Sequence, residues 1–132
     1  WYMVLGVSSA EEAYYKKSGL FPIMHIVGIL RSLVEQHPWL PVNVLNAFIE
    51  AKQICYLNLG KVGHLFTTLP WPVDEYEAAK ALMGDDYWPY GVKANAAEIE
   101  AMCRYSFDQG LTARLLTAED LFAPSTFELA KV

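Results

Sequence analysis

The segment 85–91 has the residue types best suited to chemistry. It places two adjacent carboxylates, Asp85 and Asp86, before the rings of Tyr87, Trp88 and Tyr90. Neighbouring carboxylates can raise each other's pKa or hold a cation through their oxygens, although one of them could instead cap a turn. The rings could stack on an aromatic ligand, with a tyrosine hydroxyl bonding to one of its polar groups. Alternatively the rings anchor the loop to the core, an interpretation that is strongest for Trp88.

His25 and Arg31 are further candidates, one inside an apolar run and one directly after it. His25 is the only ionisable residue in the run 21–30. Because its ring needs a polar partner or a cavity, His25 is either a core residue bonded to backbone or a group with a tunable pKa. Arg31 could hold a carboxylate through two parallel hydrogen bonds. Arg104 could do the same, but its place in the middle of a predicted helix favours exposure.

The composition argues against several classes of function. The net charge is −5 and the ten Lys and Arg residues form no cluster, which disfavours nucleic acid and anionic membrane surfaces as partners. The run 21–30 is too short to span a membrane. No phosphate-binding glycine loop, Ser-His-Asp order or zinc-ligand spacing is present, so we predict no metal site. We expect Cys55 and Cys103 to be buried thiols, with a disulfide as the alternative. His37 and His64 are expected on the surface.

Capping patterns predict the helices that must position these residues. Five times a capping residue is followed three positions later by an acid that can return a hydrogen bond; the pairs are Ser9/Glu12, Ser32/Glu35, Asn95/Glu98, Thr117/Asp120 and Ser125/Glu128. With the prolines that start helices and the glycines that end them, they predict long helices over 10–17, 42–59, 72–83 and 96–109. Short helices are expected after Ser32 and around Glu119 and Phe127.

The run 21–30 is predicted to be a buried parallel strand, because it is short, nearly continuous and rich in Ile and Val. One strand cannot form a sheet, and its backbone groups need partners from sequence outside this chain or from a second copy. The chain opens at Trp1 without an initiator Met, as a cut through a longer protein would. We therefore expect a single compact unit, residues 1–132, of a larger protein.

Three segments resemble the 4,5-dihydroxyphthalate decarboxylase family: YYKKSGLFPIMH at 14–25, LPW at 69–71 and LMGDDYWPYG at 82–91. HPW at 37–39 and LFAP at 121–124 agree with it. The resemblance implies the C-terminal portion of an α/β protein of the type 2 periplasmic-binding-protein-like superfamily, in which two lobes close around a ligand. This portion would be mainly α-helical with one principal strand, and its sheet partners would come from the N-terminal lobe.

The family resemblance implies decarboxylation of a dihydroxylated aromatic dicarboxylate without a cofactor; the alternative is a substrate-binding protein of an ABC-type transport system, and a third possibility is a structural lobe with no site. As a decarboxylase, His25, Asp85 and Asp86 would be catalytic, and Arg31, Tyr87, Trp88 and Tyr90 would bind a small aromatic carboxylate. We expect His25 and the loop 85–91 to border one cleft, within about 15 Å of each other. Homo-oligomers are expected, in the cytoplasm, or in the periplasm if a signal peptide lies upstream.

Overall fold

The computed structural model describes residues 7–61, 63 and 68–129, and these residues form helices joined by loops. The elements are α1 (Val7–Ser18), α2 (Arg31–Gln36), α3 (Leu40–Leu59), α4 (Pro72–Met83), α5 (Ala96–Asp108), α6 (Ala118–Leu121) and a 3-10 helix (Pro124–Thr126). The helix α3 packs against α2, α4 and the 3-10 helix, while α5 packs against α6. The prediction of a mainly helical chain is confirmed. The predicted surface residue His64 lies outside the described residues.

Proline and glycine set the helix boundaries more reliably than the capping pairs do. The helix α4 begins at Pro72 and ends before Gly84, as predicted. Gly84 has φ 95° and ψ 177°, a backbone region open essentially to glycine alone. Of the five capping pairs, Thr117/Asp120 forms as predicted, with the Thr117 N–H donating to Asp120 Oδ2 at 3.0 Å. The other four are wrong, because Ser9, Ser32 and Ser125 lie inside helices and Asn95 makes no cap hydrogen bond.

The predicted buried strand at 21–30 does not form in the described part of the chain, so that prediction is wrong. The segment is neither helix nor strand, and no backbone N–H between residues 21 and 29 donates a hydrogen bond there. Its apolar side chains are largely exposed: Met24 at 53%, Ile26 at 68%, Val27 at 59% and Leu30 at 70%. A strand requires a paired neighbour, and the described residues supply none. We call residues 21–30 the extended segment.

Few side chains are buried in the described part of the chain, and the two cysteines differ in their exposure. Cys103 is buried with Val92 and Ile99 in a small cluster, whereas Cys55 is exposed and both thiols are free. The prediction of two buried thiols is therefore wrong for Cys55, which lines an open groove along α3 together with the exposed Ile54. Apolar periodicity marks a face that requires a partner but does not reveal whether the chain itself provides one.

The exposed area of the molecule is large for its mass. The accessible surface is 10211 Å², whereas a compact monomer of this mass exposes about 7,000 Å². An excess of about 3,000 Å² is comparable to the surface buried at an obligate protein interface. Apolar surfaces on α3 and on the extended segment are thus left without a covering element in the described chain. None of the described helices combines the length and the apolar character that crossing a membrane requires.

Candidate functional site

The loop 85–91 is tied to α3 by a buried lysine. Only 4% of the Lys52 side chain is exposed, and its Nζ lies 2.6 Å from Asp86 Oδ1. The same ammonium donates to the carbonyl oxygen of Trp88 at 3.2 Å and lies 4.8 Å from the centre of the Tyr90 ring. Carboxylate, carbonyl and ring thus replace the water that a buried cation loses. We call Lys52, Tyr56 and Asp86 the lysine clamp.

Tyr56 completes the lysine clamp one helical turn after Lys52. Its hydroxyl donates to Asp86 Oδ1 at 3.3 Å and accepts the Trp88 N–H at 3.1 Å. Residues four apart lie on the same helix face, so Lys52 and Tyr56 reach the same loop from adjacent turns of α3. Burial, followed by the negative charge of Asp86, raises the pKa of Tyr56 above its ordinary value. The phenol therefore stays protonated at neutral pH and serves as a hydrogen-bond donor.

The rings of the loop differ in how they contact the rest of the chain: Tyr87 packs against other tyrosines, whereas Trp88 remains partly exposed. Tyr87 stacks on Tyr56 with ring centres 4.8 Å apart and meets the edge of Tyr76 at 6.0 Å, and burial raises the pKa of Tyr87. Trp88 keeps 40% of its surface exposed and contacts Phe21 edge-on at 5.4 Å. The anchor of the loop is thus mainly Tyr87, whereas Trp88 retains exposed ring surface.

Asn95 fixes the far end of the loop. Its side-chain amide donates to the carbonyl oxygens of Pro89 at 2.9 Å and Gly91 at 2.8 Å. These bonds direct the side-chain amide towards the loop, and its oxygen makes no cap hydrogen bond to α5. The loop is therefore held at its acidic end by α3 and at its glycine end by the start of α5.

The predicted acids lie in different surroundings. Asp86 accepts hydrogen bonds from the other two residues of the lysine clamp, Lys52 and Tyr56. The Asp85 side chain is 96% exposed and lies 3.4 Å from the ammonium of Lys80. Adjacent in sequence, the two carboxylates thus pair with different lysines, and the described residues contain no group of His, Cys, Asp and Glu suited to a metal ion.

His25 and Arg31 are exposed, His25 in the extended segment and Arg31 at the first residue of α2. The segment passes beside the loop, because Phe21 contacts Trp88 and Ile23 packs against the cluster that contains Val92. Two residues of extended chain span at most about 7 Å, so the backbone of His25 follows closely after this contact. A cleft shared by His25 and the loop stays a prediction.

The sequence reasoning missed Lys52, Tyr56 and Asn95. A signal for Lys52 was present: it lies three residues after Ile49, four before Tyr56 and seven before Leu59, so it shares the apolar face of α3. A lysine at such a position needs a buried partner. Nothing comparable marked Asn95, whose partners are backbone carbonyls brought near by the turn at Gly91. An open groove of about 290 Å³ also runs along α3, but no predicted site residue lines it; it is lined by Ala51, Ile54, Cys55, Asn58 and Leu59.

Comparison with known proteins gives one informative relative. No family model matches the chain. Over 131 residues it is 34% identical to 4,5-dihydroxyphthalate decarboxylase from Comamonas testosteroni, a match that covers 99% of this chain and 40% of that protein. The resemblance predicted from the sequence is thereby confirmed: the chain is related over almost its whole length to 4,5-dihydroxyphthalate decarboxylase, consistent with the C-terminal part of that family.

Proposed function

We propose that the full-length protein containing this chain decarboxylates a dihydroxylated aromatic dicarboxylate similar to 4,5-dihydroxyphthalate, without a cofactor. The observation that carries the proposal is the 34% identity to a protein of that name, which continues through 131 residues. Since the chain spans 40% of that relative's length, the remainder of the protein would complete the site. We place this chain in a two-lobed α/β protein whose other lobe covers the extended segment.

The reaction sets clear chemical requirements. A proton adds to the ring carbon that bears the leaving carboxylate, the carbon–carbon bond breaks, and its electron pair returns to the ring as carbon dioxide departs. A hydroxyl para to that carbon stabilises the intermediate most when its own proton is shared with an acceptor. The site must therefore supply an acid, an acceptor for a ring hydroxyl and a dry environment for the carboxylate.

Residues of this chain match those requirements in type. His25 is our candidate acid, because histidine is the side chain that most often serves as a general acid, with Asp85 as the second. Asp86 is suited to accept a hydrogen bond, and the exposed ring of Trp88 is suited to stack on the substrate. Tyr87 and Tyr90 support that surface, and Arg31 is our candidate for holding the carboxylate that remains.

The direct test is to add 4,5-dihydroxyphthalate to the purified full-length protein. We expect carbon dioxide and the ring-protonated product, 3,4-dihydroxybenzoate, in equal amounts, both measurable by trapping and liquid chromatography. Dialysis against a chelator should leave the rate unchanged, since no metal takes part. A protein that is folded and releases no carbon dioxide would refute the proposed reaction.

The alternative is a substrate-binding protein of a transport system, and one observation favours it: Asp86 is already engaged by Lys52, which leaves fewer free acids in the loop. Such a protein would bind 4,5-dihydroxyphthalate, measured by calorimetry, and return it unchanged. A signal peptide in the full-length sequence would support this alternative and a periplasmic location. Without one, we propose a cytoplasmic enzyme.

A further inference from the structure

The two oxygens of Asp86 have different surroundings. Oδ1 accepts hydrogen bonds from Lys52 at 2.6 Å and Tyr56 at 3.3 Å. Oδ2 makes no hydrogen bond to the described part of the chain, and 24% of the side chain remains exposed. One oxygen is therefore fixed by the protein, and the other keeps its capacity to accept a hydrogen bond.

The fixed oxygen determines the orientation of the carboxylate. The Lys52 ammonium lies 2.6 Å from Oδ1, so Oδ2 is held in a constant place as a charge-assisted acceptor. Because Lys52 also bonds to the Trp88 carbonyl, it holds the carboxylate in a constant relation to the backbone of Trp88, a residue that is 40% exposed. An anionic acceptor two residues from an exposed aromatic side chain complements a phenol, whose hydroxyl can donate while its ring stacks.

We propose that Lys52 is a positioning residue that holds the Asp86 carboxylate with Oδ2 facing the ligand, so that Asp86 selects ring hydroxyls of the substrate. This role rests on the proposed function, because it concerns the same site. It goes beyond that function in assigning the discrimination between hydroxylated and unhydroxylated rings to Asp86, which the sequence predicted as catalytic, and to Lys52, which the sequence did not predict.

The test measures discrimination by the full-length protein. Because an active enzyme would consume 4,5-dihydroxyphthalate during a titration, dissociation constants are determined by calorimetry for 3,4-dihydroxybenzoate, the expected product, and for benzoate, which lacks both hydroxyls, with the wild type and with Lys52→Met. A hydrogen bond to a charged acceptor accounts for about a 10- to 100-fold preference. We expect the wild type to prefer 3,4-dihydroxybenzoate by about that factor, and Lys52→Met to lose most of this preference while benzoate affinity changes less than about threefold.

Two further variants keep the test decisive if Lys52→Met unfolds. The double variant Lys52→Met/Asp86→Asn leaves no unpaired charge, so it should fold, and it should lose the preference as well. Lys93→Met is the matched control: its ammonium lies on the surface, 3.3 Å from Glu128, and the preference should stay at the wild-type value.

The possible outcomes separate this role from the reaction itself. A wild type without the preference, or folded variants that retain it, would overturn the role of Lys52. A wild type that shows the preference and releases no carbon dioxide would overturn the proposed reaction alone. In an active enzyme, Lys52→Met should raise KM for 4,5-dihydroxyphthalate more than it lowers kcat, which loss of folded protein would not do.

Discussion

At the scale of single residues, Lys52 is the side chain on which the loop 85–91 depends most. Its charge is buried and its partners come from three residues of one loop, Asp86, Trp88 and Tyr90. An ion pair between exposed residues contributes little because water screens it. The Lys52–Asp86 pair differs, since removal of either partner leaves a charge that water reaches only in part.

Replacement of Lys52 by methionine should therefore destabilise the protein. Loss of one partner of a buried pair costs about 3–5 kcal/mol, and we expect about 3 kcal/mol because Asp86 keeps 24% exposure. The measurement is the free energy of unfolding in urea for the full-length protein. Lys93→Met, which breaks the exposed pair with Glu128, should cost less than about 1 kcal/mol. Equal costs for the two variants would contradict a structural role for the lysine clamp.

Tyr56 should make stability fall in alkaline solution. Its pKa is raised in the folded state by burial and by Asp86, whereas in the unfolded chain a tyrosine ionises near pH 10. The protonated Tyr56 hydroxyl therefore makes its full contribution to the free energy of unfolding below pH 10. This contribution is lost as the pH rises above 10. Unfolding free energies measured between pH 8 and 11 should fall less steeply for Tyr56→Phe than for the wild type. Tyr14→Phe, a change at an exposed tyrosine of α1, should keep the wild-type slope; a Tyr56→Phe slope equal to it would refute the assignment.

At the scale of the elements, the sequence predicted well those helix bounds that depend only on the conformational preferences of the residues at the helix ends. The bounds of α4 were predicted fully, because Pro72 favours the first turn and Gly84 adopts a conformation closed to other residues. The extended segment was mispredicted, because pairing of a strand depends on a partner that its own residues do not encode. The Asn95 cap failed for a related reason: a capping side chain was diverted to carbonyls that only the folded loop brings near.

The same principle explains what was recovered of the candidate site. Residue types in the loop 85–91 identified the loop as unusual, and Asp86, Tyr87 and Tyr90 do contact side chains of α3. Which loop residues are held by the rest of the chain was not predictable from the sequence. That depends on the α3 residues Lys52 and Tyr56, which lie 34 and 30 positions from Asp86 in the chain. Contacts over such separations arise from packing between elements.

Gly84 offers a test of backbone strain without a steric clash. An added methyl group would meet no atom within 4 Å, but φ 95° with ψ 177° costs other residues about 1–3 kcal/mol. We expect Gly84→Ala to lower the unfolding free energy by that amount. Gly28→Ala is the matched control, because its surroundings are equally open and its φ lies outside the positive region. A Gly84→Ala protein as stable as Gly28→Ala would show that the loop can start with another conformation.

At the scale of the whole molecule, the excess of exposed surface predicts association. We expect the 132-residue chain alone to form oligomers, driven by apolar surface that the rest of the full-length protein would cover. Light scattering at increasing concentration measures this. Ile26→Lys, in the extended segment, should shift the chain towards monomer, whereas Leu111→Lys, at an equally exposed site after α5, should have a smaller effect. A monomer at high concentration would contradict the expectation.

The contact between Phe21 and Trp88 has a mechanical consequence. It joins the extended segment to the loop at a ring separation of 5.4 Å, and such pairs persist only to about 7 Å. In the two-lobed protein that we propose, a movement of the extended segment with the other lobe would require Trp88 either to follow Phe21 or to lose this contact. Trp88 would then transmit that movement to the loop 85–91.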